Sequence, residues 1–243
     1  VLFGSCYHII ANILPNYGIE IDFIDGPNNN AWEQAFKENT KIVFIESPSN
    51  PNLELTDIEF VANLCKKHNS FLIVDNIFAT PLIQSPLKLG ANAVIYSTTK
   101  HMDGGGRTLG GAIIGSEEFI KETLLPFHRH TGPALSPFNA WVVSKSLETF
   151  ALRYNYHLDN SLKIAQFLEN HPKIDKVIYP GLKSHPQYEI AKKQMISGGA
   201  MVAFYIAGSK KHTFDFMNKL KIIDISNNLG DSKSLITHPA TTT

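Results

Sequence analysis

Ala93-Val-Ile-Tyr-Ser97-Thr-Thr99-Lys100-His101 carries the residue types from which most chemistry would follow. A short apolar run ends in small hydroxyl side chains and then a lysine, and glycine crowds the following positions (Gly104, Gly105, Gly106, Gly110 and Gly111). Backbone without side chains lets a ligand approach closely. A lysine held at a strand end and partly desolvated loses its proton readily, so it can attack a carbonyl and form a Schiff base. Ser97 and Thr99 are of a size and kind to bind a phosphate.

The elements that must hold these residues read as an α/β pattern. Lys41–Glu46 and Phe71–Asp75 are continuous apolar runs, each ending in an acid, and a third run ends at Ser97. Helical segments separate them, one of them capped by Thr56 or Asp57 with Ile58, Val61, Ala62, Leu64 and Cys65 in one stripe. Uniformly apolar strands between helices predict a mostly parallel sheet buried on both faces. Ala112–Ile114 is expected to be a fourth strand, Ile19–Ile24 another, and Cys6–Leu14 and Ala31–Glu38 helices.

In such a sheet, ligands lie outside the carboxyl ends of the strands. Glu46, Asp75, Ser97 and Lys100 all fall at or just beyond those ends. A carboxylate such as Asp75 facing a pyridine nitrogen would keep it protonated, and Asn50, set between two prolines, suits a ring hydroxyl. Taken singly, Asp75 also suits a helix cap, Asn50 a turn, and Ser97 and Thr99 ordinary loops. Together, at consecutive strand ends, they favour a site.

Composition excludes other classes. Lys+Arg and Asp+Glu number 22 each, with no block of like charge, so neither nucleic acid nor an anionic membrane is an expected partner. Two cysteines, Cys6 and Cys65, form no disulfide framework and fit a reducing, cytoplasmic setting. No apolar run reaches membrane-spanning length. The glycines form no dinucleotide fingerprint, and Gly111 stands where a P-loop needs lysine. His128, His130 and nearby His101 might suggest a metal, but without a further ligand at a recognisable spacing they read as ordinary loop or site histidines, and no metal is expected. The chain opens at Val1 and closes at Thr243 within what read as ongoing elements, and it is expected to be an internal portion of a longer protein.

Four motifs carry a resemblance: Glu46-Ser-Pro-Ser-Asn50-Pro51, Asp75-Asn-Ile-Phe-Ala-Thr-Pro81, Ser97-Thr-Thr-Lys100 and Ser234-Leu-Ile-Thr-His-Pro239. They resemble the Cys/Met-metabolism enzymes that depend on pyridoxal 5'-phosphate. Leu2–Cys6, Lys100–Asp103, Arg129–Trp141 and Asp224–Asp231 are most similar to the O-succinylhomoserine sulfhydrylase branch of that family. The resemblance covers the chain in order. It implies the fold type I, transferase-like α/β architecture, with a large cofactor domain over residues 1–150 and part of a smaller α/β domain over 151–243.

The resemblance also implies roles. Lys100 matches the Schiff-base lysine and proton shuttle, Asp75 the pyridinium partner, Asn50 the residue near the ring hydroxyl, and Ser97 and Thr99 the phosphate hydroxyls. Phe3 stands where the family usually has a tyrosine stacked on the ring, and it keeps the stacking face without the hydroxyl. Asn228 replaces a serine near the substrate carboxylate, which fits the sulfhydrylase branch, as does Ser5. The family's Gly-Met phosphate loop and the tyrosine and arginine lent by a neighbouring subunit would precede residue 1. Its carboxylate-binding arginine would follow residue 243. The implied reaction is γ-replacement of an acylhomoserine by sulfide to give homocysteine, in a homo-oligomer built as a dimer of dimers. Synthase chemistry with cysteine, γ-elimination, and a catalytically silent fragment are the alternatives.

The second half predicts helices over Pro137–Phe150, Leu158–Asn170, Tyr188–Met195 and Ser209–Leu220. Strands are expected at Lys176–Tyr179, Ala200–Ile206 and Ile222–Ile225, as in an α/β cap.

Overall fold

The computed structural model describes residues 2–242, so Val1 and Thr243, at which the chain is expected to be cut from a longer one, lie outside the described residues. Its central sheet has four strands: β1 (Ile42–Glu46), β2 (Phe71–Asp75), β3 (Ala93–Ser97) and β4 (Gly111–Gly115), in that spatial order. The first three are parallel, and Glu46 stands in register with Asp75 and Asp75 with Ile95. β4 runs antiparallel to β3, with Ser97 opposite Gly111. The glycine-rich link between them turns straight back without laying a helix across the sheet, and a parallel return would need that crossover.

The helix Ile58–Lys67 covers one face of the sheet. Asp57 caps it by accepting from Phe60 N–H at 3.1 Å. Ile58, Val61, Ala62 and Cys65 are buried against Val43, Ile45, Leu72 and Val74. Each of the valine, isoleucine and leucine side chains among them contributes about 1.5–3 kcal/mol when fully removed from water.

The stretch Ile19–Ile24 is not a strand. It lines, with Ile42–Glu46, an apolar cleft of about 1210 Å³ that separates it from β1. Its alternation is real, but strand structure needs a hydrogen-bonding neighbour, and no strand pairs with it among the described residues. Phe23 instead leans on Tyr7, ring centroids 5.1 Å apart. The helical stretch expected at Cys6–Leu14 runs from Gly4 to Tyr17 with a wide and then a tight turn. The helix expected at Ala31–Glu38 is Asn29–Ala35, because Asn28 caps Ala31 N–H at 3.2 Å.

The second half differs most at its helix boundaries. Pro137–Leu147 is one helix, and a single long helix then runs Phe150–Glu169, absorbing the segment expected to begin at Leu158. The break falls at Thr149 because Phe150 and Tyr154 turn inward, packing with Leu55, Ala79, Ile83, Ala191 and Met195. β5 (Ile174–Ile178) pairs antiparallel with β6 (Ala203–Ile206), and β7 (Asp224–Ile225) pairs parallel with β8 (Leu235–Ile236). Tyr188–Gln194 and Lys210–Met217 are the remaining expected helices, the latter capped by a reciprocal Ser209–His212 box. No helix among the described residues is long and apolar enough to cross a membrane.

Candidate active site

Lys100 occupies a helical turn, Thr98–Met102, that starts where β3 ends, and its own backbone leaves helical geometry at φ −86°, ψ −125°. The side chain is half-buried, and desolvation lowers its pKa, favouring the neutral amine. Its Nζ donates to Asn228 Oδ1 at 2.6 Å. Asn228 arrives on the loop between β7 and β8, which rests directly on the lysine turn. A Cβ at Gly230 would lie 2.4 Å from His101 N and 2.7 Å from the Lys100 carbonyl carbon, and Gly230 has φ +82°. Only glycine permits that approach.

Arg153 grips the turn from its other side. Its guanidinium donates to the carbonyls of His101 (3.0 Å), Met102 (3.2 Å) and Ser146 (3.0 Å), fastening the turn to the helix Pro137–Leu147. His101 itself is 3% exposed, and neither ring nitrogen has a hydrogen-bond partner among the described residues. Burial, helped by the charges of His157 and Arg153, pushes its pKa down to about 3, so it is neutral. It stands edge-on to Tyr154, whose hydroxyl donates toward the carbonyls of Phe78 and Ala79.

Asp75 is buried at the end of β2 and accepts from Ile77 N–H at 3.0 Å. Burial raises its pKa to about 6. Such a carboxylate is expensive to ionise alone and is matched by a cationic partner. Beside it, Glu46 is also buried, and burial together with the neighbouring Asp75 charge raises its pKa to about 7. Glu46 accepts from Phe3 N–H at 2.7 Å and from Asn50 N–H at 2.6 Å, so both expected ring contacts are tied to this strand end. Burial, reinforced by the Asp75 and Glu46 charges, also raises the Cys6 thiol to about 11, which keeps it protonated and inert.

Ser97 is half-buried at the end of β3. The Thr99 hydroxyl is engaged within the chain, accepting from Gly110 N–H at 3.0 Å. Thr98 Oγ1 is buried without a hydrogen-bond partner among the described residues. Sequence reasoning singled out neither Thr98 nor Gly230, and it weighed His101 only as a metal ligand and set it aside, because nothing local marks a residue as buried against a distant segment. No cluster of three potential metal ligands occurs among the described residues.

An open sheet with a half-buried lysine beyond one strand end and a buried carboxylate at the next is an arrangement suited to a ring that carries a carbonyl and a protonatable nitrogen. The model of the Cys/Met metabolism PLP-dependent enzyme family matches residues 1–243, and the chain belongs to that family. Its fold is that of the pyridoxal-phosphate-dependent transferases of fold type I. A crystal structure titled metB from Corynebacterium glutamicum superposes with a TM-score of 0.97 at 40% identity, covering 100% of this chain and 63% of that one. O-succinylhomoserine sulfhydrylases of Mycobacterium tuberculosis and Pseudomonas aeruginosa are 48% and 44% identical to it. An L-methionine gamma-lyase of Porphyromonas gingivalis is 40% identical. The matches cover 99–100% of this chain but 60–61% of each of these three relatives, so it spans about three fifths of their length.

The residues present fit pyridoxal phosphate. The buried Asp75 carboxylate has the chemistry to balance a cationic ring nitrogen, and the Lys100 amine is partly desolvated.

Proposed function

We propose that the protein is an O-succinylhomoserine sulfhydrylase in which Lys100 is the Schiff-base lysine and proton carrier. The observation that carries this is the half-buried Lys100 amine, shifted toward its neutral form, at the strand end next to the one bearing buried Asp75. Pyridoxal phosphate, when bound, supplies the electron sink that makes Cα and Cβ protons of the substrate acidic. Asp75 would hold the ring nitrogen protonated, Phe3 would offer a face to the ring, and Asn50 would bond the ring hydroxyl. Ser97 and Thr99 would bind the phosphate, Thr99 by exchanging its contact with Gly110.

Asn228 holds the lysine amine in place and faces the substrate carboxylate. Lys100 carries one proton at a time: it takes the proton from Cα, which it would pass to the bound cofactor, and only then takes one from Cβ. The C–O bond at Cγ breaks, succinate leaves with the bonding pair, and hydrosulfide forms the new C–S bond there. Lys100 gives its proton back to Cβ, and reprotonation of Cα in turn yields homocysteine. Relatives named for this reaction are 44–48% identical, against 38–40% for those named L-methionine gamma-lyase, and this gradient supports the reading. γ-Elimination on the same residues is the second reading, supported by those lyases and by a Cystathionine gamma-lyase relative at 38%.

The reading includes a division at residues 150/151 into a large and a small domain, supported by the separate sheets on either side. It includes a cytoplasmic homo-oligomer, a dimer of dimers; exposed Phe127 (67%), Phe138 (68%) and Trp141 (59%) support association through an apolar surface. Borohydride reduction of the loaded protein tests it: the cofactor should be fixed on the peptide containing Lys100. Fixation on Lys88 or Lys121, or none, overturns the assignment. Lys100→Ala should fold and lose turnover. Product analysis with O-succinylhomoserine, with and without sulfide, separates replacement from elimination.

A further inference from the structure

Glu46 is a buried carboxylate for which the proton shuttle has no use. Its side chain is turned toward two backbone N–H groups, that of Phe3 on Oε2 and that of Asn50 on Oε1. Phe3 opens the first helix, and Asn50 lies in the loop that follows β1. In register across the β1–β2 pair stands Asp75. One side chain thus joins two segments distant in sequence to the strand end that carries the other buried acid.

We propose that Glu46 is a positioning residue for the ring pocket, clamping the backbones of Phe3 and Asn50 at fixed places relative to Asp75. The residue type follows from the task. A carboxylate accepts at both oxygens, whereas an amide of the same length turns a donor toward one of the two N–H groups. Aspartate accepts at both but is one methylene short. Bonds from two N–H groups to a charged acceptor are of the strong, charge-assisted kind. They offset part of the cost of keeping this group buried beside Asp75. A residue that merely filled space here would need no such pair of donors.

This inference rests on the cofactor reading given above. The test measures the dissociation constant of pyridoxal phosphate and the visible circular dichroism of the bound cofactor in the wild type, Glu46→Gln, Glu46→Asp and Val43→Ala. Val43 lies on the same strand and packs in the core away from the clamp. Glu46→Gln should weaken cofactor binding at least tenfold and alter the dichroic band, and Glu46→Asp should do the same to a lesser degree. Val43→Ala should lower the unfolding midpoint while leaving both cofactor readouts unchanged. A Glu46→Gln protein with affinity within twofold of wild type and an unchanged band overturns the inference. So does Val43→Ala weakening the cofactor as much. If Glu46→Gln does not fold, Glu46→Asp decides by the same criteria. A wild type in which borohydride fixes no cofactor on Lys100 overturns the cofactor reading and this inference with it, whereas a labelled wild type with an indifferent Glu46 overturns this inference alone.

Discussion

Lys100 and Asn228, 128 positions apart in the chain, meet through a hydrogen bond of 2.6 Å from Nζ to Oδ1. The contact exists because Gly230 lets the β7–β8 loop lie against the backbone of Lys100 and His101. The loop that anchors the amine is therefore set by backbone contact with the turn that presents it.

Asn228→Ala should remove this anchor at the cost of one hydrogen bond, about 0.5–1.5 kcal/mol, or roughly two- to tenfold in kcat/KM. Gly230→Ala should do more harm, because the new Cβ pushes the whole loop away and φ is unfavourable for alanine. Steady-state kinetics on both variants check this. A Gly230→Ala enzyme as active as wild type would mean that the loop contact does not matter.

Asp75→Asn retains the acceptor for Ile77 N–H and removes a buried charge, so folding stability near neutral pH should be unchanged or slightly raised. Turnover should nevertheless fall by several orders of magnitude, since the ring nitrogen loses its counter-charge. Parallel thermal melts and activity assays measure the two effects. Near-normal activity would reduce Asp75 to a turn residue worth about 1 kcal/mol.

Glu46 makes the apo-protein's stability depend on pH. Its folded pKa is about 7 against an ordinary value of 4.5, so between those limits the folded state binds more protons than the unfolded state. Stability from this source is full at low pH and is lost as pH rises through 7. Asp75, raised to about 6, acts in the same direction at slightly lower pH. Buried His101, with its pKa lowered to about 3, acts in the opposite direction below about 6.5. The contribution of Glu46 therefore shows as a difference. Denaturant unfolding of wild type and Glu46→Gln from pH 5 to 8 should give curves that diverge by a few kcal/mol across that range, the wild type losing ground as pH rises. Parallel curves would contradict the assignment.

His101→Phe should stabilise the protein. The ring keeps its edge-on packing against Tyr154 and loses two buried nitrogens that have no partners among the described residues, each costing about 1–3 kcal/mol. The gain should grow as pH falls toward 5, because the unfolded wild type binds a proton there that the folded state refuses. Unfolding midpoints at pH 5 and 8 test this, and a destabilised variant at both would show that the pocket has no room for phenylalanine.

The ends of β2 and β3, the acid that closes β1 and the Asp57 cap were all legible in the sequence. An apolar run, its period and the polar residue that stops it are local, and a strand end is where such a run meets a group that must reach solvent or a ligand. For the same reason Asp75, Ser97 and Lys100 could be placed at neighbouring strand ends without coordinates. Tertiary structure decided what each of these faces. Ile19–Ile24 alternates like a strand yet borders a cleft, and β4 runs back against β3. The bonds from Phe3 and Asn50 to Glu46 and from Lys100 to Asn228, and the packing of the buried His101 ring against Tyr154, depend on segments far apart in sequence. A residue's own neighbours set its backbone period, but hydrogen-bond partners and burial are set by whatever the fold brings alongside.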